Sequence, residues 1–213
     1  MPAGSASQVV LPFTDLHYLT GVAVDAAGTV YASENISGGR VIKLPARTAS
    51  QEVLPFTGLV GAIDLAVDAA GTLYVSDSVN NRVLKLQPGS DSPETLPFTD
   101  LKGPVGVAVD SAGTVYVVDG RRALKLAAGS TSPEVLPFSG LISAVGVAVD
   151  RAGSVYVCDE NNGRVLKLAA GSTRQEALPF TGSTGVLDVV VDPTGNVYVT
   201  DGGNNWVVKL PVQ

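Results

Sequence analysis

Short apolar runs of four to six residues alternate with turn chemistry along the whole chain. The second unit is typical, with "DLAVD", "TLYVS", "RVLKL" and "PETLPF" in succession. Each run is rich in β-branched or apolar residues and bounded by Gly, Pro, Asp or Ser, the signature of short strands. No stretch carries the 3.6-residue period of an amphipathic helix. The connecting loop Asp-Ala-Ala-Gly-Thr suits a tight hairpin, because Asp can bond its own backbone and Gly can adopt a positive φ.

The pattern repeats. Leu-Pro-Phe begins at Leu11, Leu54, Leu96, Leu136 and Leu178. A Val-Asp pair returns at Asp25, Asp68, Asp110, Asp150 and Asp192, with Gly three residues on and Tyr three beyond that. A Lys-Leu pair closes each unit, at Lys43, Lys85, Lys125, Lys167 and Lys209. Units starting near residues 9, 52, 94, 134 and 176 predict a repeat architecture. Four antiparallel strands per unit around an axis make a propeller blade. The expected fold is therefore an all-β, five-bladed propeller in one domain, 1–213. The run near Val9–Phe13 is expected to complete the last blade as its outer strand, removing an open sheet edge.

The pattern GVAVD-xxG-xVYVxD-xxNNRVxKL-AAGS-xxxxVLPF resembles NHL repeats. It is similar to the extracellular sensor propeller of PknD-type mycobacterial receptor Ser/Thr kinases, and to symmetric propellers designed from it. The resemblance implies a ligand- or protein-binding module, extracellular if it is an excised sensor domain. Propellers of that family usually have six blades, so five units imply a five-bladed ring or a derivative of a larger one.

Composition narrows the function. The 213 residues are 45% hydrophobic and 16% charged, with 24 Gly and 13 Pro, enough apolar content for a substantial core. A net charge of −6 and no basic stripe exclude a nucleic-acid binder. No apolar run approaches the roughly 20 residues of a membrane-spanning helix. One cysteine, Cys158, rules out an internal disulfide. One histidine, His17, with that cysteine cannot assemble a histidine zinc site. A non-enzymatic, monomeric module is the expectation.

Subtracting the repeat leaves few candidates. All five Phe lie in the Leu-Pro-Phe anchors and five of six Tyr at the repeat position. Tyr18, beside His17, and Trp206 stand outside it. Trp206 occupies the position of Arg40, Arg82, Arg122 and Arg164. His17, Tyr18 and Trp206 are expected on one face near the seam where the chain ends meet. There Trp206 either caps the closing blade or forms a shallow site for a protein, peptide or carbohydrate ligand. Arg121, on a shortened loop, is a candidate anion contact. Asp64 and Asp188 replace the Gly that opens the innermost strands of the other units (Gly21, Gly106, Gly146). A carboxylate pair at the channel mouth suits a hard cation such as Ca²⁺, and with it a metal-dependent hydrolase as the enzymatic alternative. An engineered or evolved symmetric scaffold without a natural ligand is the first alternative to the binding module, and the hydrolase is the second.

Overall fold

The computed structural model describes residues 9–36 and 38–211. The chain is a five-bladed β-propeller, all-β among the described residues apart from a single 3₁₀ turn at Glu160–Asn162. Blade 1 contains β1 (Leu19–Val24), β2 (Val30–Glu34), β3 (Arg40–Leu44) and β4 (Glu52–Val53). Blade 2 contains β5 (Ala62–Val67), β6 (Leu73–Asp77), β7 (Arg82–Leu86) and β8 (Glu94–Thr95). Blade 3 contains β9 (Val107–Val109), β10 (Val115–Val118), β11 (Ala123–Leu126) and β12 (Glu134–Val135). Blade 4 contains β13 (Ala144–Val149), β14 (Val155–Asp159), β15 (Arg164–Leu168) and β16 (Gln175–Ala177). Blade 5 contains β17 (Val186–Val191), β18 (Val197–Asp201) and β19 (Trp206–Leu210). Every sheet is an antiparallel meander running outward from the channel.

The hairpin joining the first two strands of each blade is built by its aspartate. In blade 1, Asp25 Oδ1 accepts from the amides of Ala27 and Thr29 at 2.9 and 2.8 Å. Gly28 turns the chain at φ +84°, a conformation that a side chain would strain. The Tyr31 hydroxyl then donates to Asp25 Oδ2 at 3.2 Å, and the same Tyr–Asp bond recurs at 3.0–3.1 Å in the other four blades. Burial first, and the aspartate second, push the Tyr31, Tyr74 and Tyr116 hydroxyls up to about 12.

The core lies between blades. Each of four clusters joins one blade's rear face to the front face of the next through the Leu-Pro-Phe anchor. Between blades 1 and 2, for example, Tyr31 and Val41 meet Leu65, Val75 and Leu84 around Leu54 and Phe56. Blades 2–3, 3–4 and 4–5 repeat the arrangement. Polar bonds cross the same seams: Thr20 Oγ1 donates to Ala62 O at 2.7 Å, and Ser76 Oγ to Val105 O at 2.6 Å.

The fifth seam differs. Among the described residues, no buried cluster joins blade 5 to blade 1, and β17 does not pack on β1 as other successive inner strands pack on each other. Among the described residues blade 5 shows three strands. The run near Val9–Phe13, expected as the closing outer strand, lies among the described residues and pairs with no strand there; Val9 and Val10 are exposed. Leu11 and Phe13 lie with Leu16, Leu19 and Val22 around an apolar recess of about 530 Å³ on the front of blade 1.

Val83 and Val207 occupy the same repeat position, yet Val83 is 0% exposed and Val207 74%. Val83→Ala should cost about 2 kcal/mol through lost burial and a cavity. Val207→Ala should stay within about 0.5 kcal/mol. Urea unfolding of both variants checks this, and equal losses would mean that the fifth seam is packed in solution.

Candidate functional site

One propeller face is organised by a repeated clamp at the end of each blade's second strand. In blade 2, Asp77 is fully buried and its Oδ1 accepts from the Val60 amide at 2.9 Å. Its Oδ2 accepts from Asn80 Nδ2 at 2.8 Å and Arg82 Nε at 2.7 Å. Asn80 and Arg82 also donate to Gly58 O, tying the entry loop to the hairpin. Blade 4 repeats this with Asp159, Asn162, Arg164 and Gly140 O. Blade 3 uses Asp119 and Arg122 on a shorter loop, and blade 1 uses Glu34 and Arg40. Burial pulls the Asp159 carboxyl upward, but the bonds from Asn162, Ile142, Ser143 and Arg164 outweigh it and hold the group below its ordinary value. Glu34 is held low in the same way by Arg40 and the His17 amide.

Blade 5 keeps the carboxylate and loses the arginine. Asp201 accepts from Asn204 Nδ2 at 2.8 Å, and Asn204 donates on to Gly182 O at 2.8 Å. Trp206 stands at the arginine position, paired with Asp201 across the ladder and 56% exposed. Across the open seam, the His17 amide donates to Glu34 Oε1 and the Asn35 amide to Tyr18 O. These bonds fix the loop and leave the Tyr18 ring 83% exposed on a residue with φ +49°. The topology thus puts His17, Tyr18 and Trp206 on one face, on the two blades flanking the seam. No hydrogen bond or ring contact joins them among the described residues. Arg121 lies apart on blade 3, exposed, with its amide bonded to Asp119 O.

The second candidate place is the central channel, a cavity of about 440 Å³ lined by the innermost strands of all five blades. The Gly that opens an inner strand makes room for the neighbouring blade. A Cβ on Gly146 would lie 2.8 Å from Asp188 Cα, and one on Gly21 3.0 Å from Asp64 Cα. Asp64 and Asp188 therefore each stand against a glycine of the preceding blade. Asp64 Oδ1 accepts from the Leu65 amide at 2.8 Å and its Oδ2 from Val107 of the next blade at 2.9 Å. Asp188 Oδ1 accepts from Val189 at 2.8 Å. Burial first and the Asp188 charge second push the Asp64 carboxyl up to about 7. Burial raises Asp188 as well. These are the two carboxylates that a cation in the channel would meet, and among the described residues no three His, Cys, Asp or Glu side chains cluster at metal-binding distance.

The clamp itself is the feature sequence reasoning passed over, because Asp and Asn after a strand read as ordinary turn residues. Its signal was the recurring Asp and Arg five residues apart in blades 2 and 4. A second missed feature is the pairing of Lys43, Lys85, Lys125 and Lys167 with Glu52, Glu94, Glu134 and Glu176 on the outer strands.

Comparison with known proteins agrees with this architecture. The NHL repeat model matches residues 141–168 and 185–210, two of the five units. No curated protein matches the sequence. A chain of the nidogen/laminin complex superposes with a TM-score of 0.81 at 20% identity, over 90% of this chain and 75% of that one. A streptogramin B lyase gives 0.72 at 14% identity, over 91% and 68%. A catalytically inactive virginiamycin B lyase from Staphylococcus aureus, solved with quinupristin, gives 0.68 at 12%, over 92% and 70%. At these identities the likeness is one of fold.

Trp206→Arg should complete the fifth clamp and raise the urea midpoint, whereas Arg82→Trp should break an existing clamp and lower it. A fall for Trp206→Arg would show that the indole supports the blade. The channel pair makes a pH prediction. The folded state holds a proton on Asp64 up to about pH 7, while the unfolded chain releases it near the ordinary value of 3.8. Stability from this group is therefore full below about 3.8 and lost as pH rises to about 7. Asp188→Asn should lower the Asp64 midpoint in a carboxyl ¹³C titration and flatten that loss. An unchanged midpoint would mean that the two carboxylates do not sense each other.

Proposed function

We propose that this propeller is a non-enzymatic binding module that presents its clamped loop face to a protein or peptide. The observation that carries this reading is Trp206, exposed at the one blade whose clamp lacks its arginine. In blades 2 and 4 the carboxylates, amides and guanidinium groups of the clamps are bonded to one another, so these groups are not free for catalysis. The exposed large apolar groups include Trp206, Tyr18, Val79 and Ile142. Aromatic groups on a rigid frame are the usual anchors of recognition, because they bury large areas at small entropic cost. The sole histidine is tied down through its backbone, and the sole cysteine is buried, its thiol pushed well up chiefly by burial. Likeness to a chain of the nidogen/laminin complex supports a protein partner.

Likeness to two lyases keeps a channel-centred enzyme as the competing reading, resting on Asp64 and Asp188. An unliganded scaffold is the other alternative.

Trp206 is the only tryptophan, so its emission reports one location. Titration with Ca²⁺, a sugar panel and peptide fragments should give a saturable shift with peptide, lost in Tyr18→Ala. A Ca²⁺ response lost in Asp64→Asn would favour the channel reading, and emission that nothing alters would favour the scaffold.

A further inference from the structure

We propose that blade 5 takes an extended peptide from a partner protein as its fourth strand, and that this peptide carries an acidic residue followed by an apolar residue and a Leu-Pro-Phe-type anchor. This deepens the binding reading and rests on it.

The internal blades define what an outer strand must supply. In blade 3, Glu134 and Val135 lie opposite Lys125 and Leu124. The Glu134 carboxylate is 3.2 Å from Lys125 Nζ, and the Leu136 amide donates to Ala123 O at 2.8 Å. The same Lys–Glu pair and the same leucine amide bond occur in blades 1, 2 and 4. The leucine and phenylalanine that follow then settle on the rear face, as Leu178 and Phe180 do beside Tyr156 and Val165.

Blade 5 offers every receiving group. Lys209 stands in the register of Lys125, opposite Tyr198, and lies over that ring at 5.4 Å. Among the described residues no carboxylate pairs with Lys209 and no amide donates to Val207 O. The rear face presents Val190, Tyr198 and Val207, with both valines more than half exposed. An edge with its backbone groups aligned and one cation in register is a template for strand addition.

The chain's own N-terminal segment is the rival occupant, and its chemistry is mismatched. Aligning "PAGSASQVVLPF" with "AAGSTSPEVLPF" places Val9 where the internal blades have glutamate. A valine there leaves Lys209 without its partner. The described part of that segment instead contributes Leu11 and Phe13 to the blade 1 recess.

A fluorescein-labelled peptide of residues 130–138, Ser-Thr-Ser-Pro-Glu-Val-Leu-Pro-Phe, tests this by anisotropy against the full chain. Saturable binding is expected. Glu134→Lys in the peptide, or Lys209→Glu in the protein, should each weaken it about fivefold, and the two reversals together should restore it. Slowed hydrogen exchange of the Val207 and Lys209 amides on adding peptide would place it on this edge. Failure to saturate, or binding indifferent to both reversals, overturns the proposal. So does protection of those amides before any peptide is added, because the N-terminus or a second copy would then already hold the edge. The loop-face response is followed through Trp206 emission and strand addition through exchange of the Val207 and Lys209 amides, so loss of one and loss of the other are read separately.

Discussion

The fold depends on the seam between blades. A single blade has two apolar faces and cannot bury either alone, so its stability comes from its neighbours. Each of the four packed seams buries one Leu-Pro-Phe anchor and one repeat tyrosine, with Val41, Val83 and Val165 filling the same position fully buried. The Asp–Gly turn serves the same end, because it holds the aspartate that receives the tyrosine hydroxyl. The buried phenol is thereby satisfied, and the ring can pack without leaving a polar atom stranded.

This dependence on neighbours makes the two end blades unlike the rest. Blades 2, 3 and 4 have both faces covered, and their loops close on themselves through carboxylate, amide and guanidinium. Blade 1 exposes Leu19 and Val22, and blade 5 exposes Val190 and Val207. Residues identical in chemistry to core residues elsewhere therefore become surface. A near-uniform repeat thus generates two non-uniform places without any specialised insertion.

Much of this was legible in the sequence. The period, the strand runs and the Asp–Gly turns follow from local chemistry repeated five times, and repetition averages out local ambiguity. The placement of Trp206, Tyr18 and His17 on one face also follows, because antiparallel strands return each loop to a known side. The clamp was not legible as such, because its bonds run from Asp77 to Val60 and from Arg82 to Gly58. Those contacts span about half a unit and depend on how the entry loop folds over the hairpin. The raised proton affinity of Asp64 was equally hidden, since it needs the depth of the channel and the opposing Asp188. Closure of the ring is the least local property of all. It depends on whether the last rear face meets the first front face, and that is set by accumulated blade geometry rather than by any one segment.

Specificity in such a molecule has to come from departures from the repeat. A side chain present five times is presented five times, and a single partner cannot distinguish one copy from another by that residue. Trp206 is present once, and it exists as an exposed group because the arginine that would otherwise occupy its place is absent. Lys209 is chemically the same as its four counterparts, yet it is singular because no described carboxylate meets it. The two features lie on one strand, β19, Trp206 at its start and Lys209 one residue before its end. One is a gain of contact surface on the loop face, the other an unfilled position on the sheet edge. A partner engaging both would be selected by the one blade in which the repeat is incomplete.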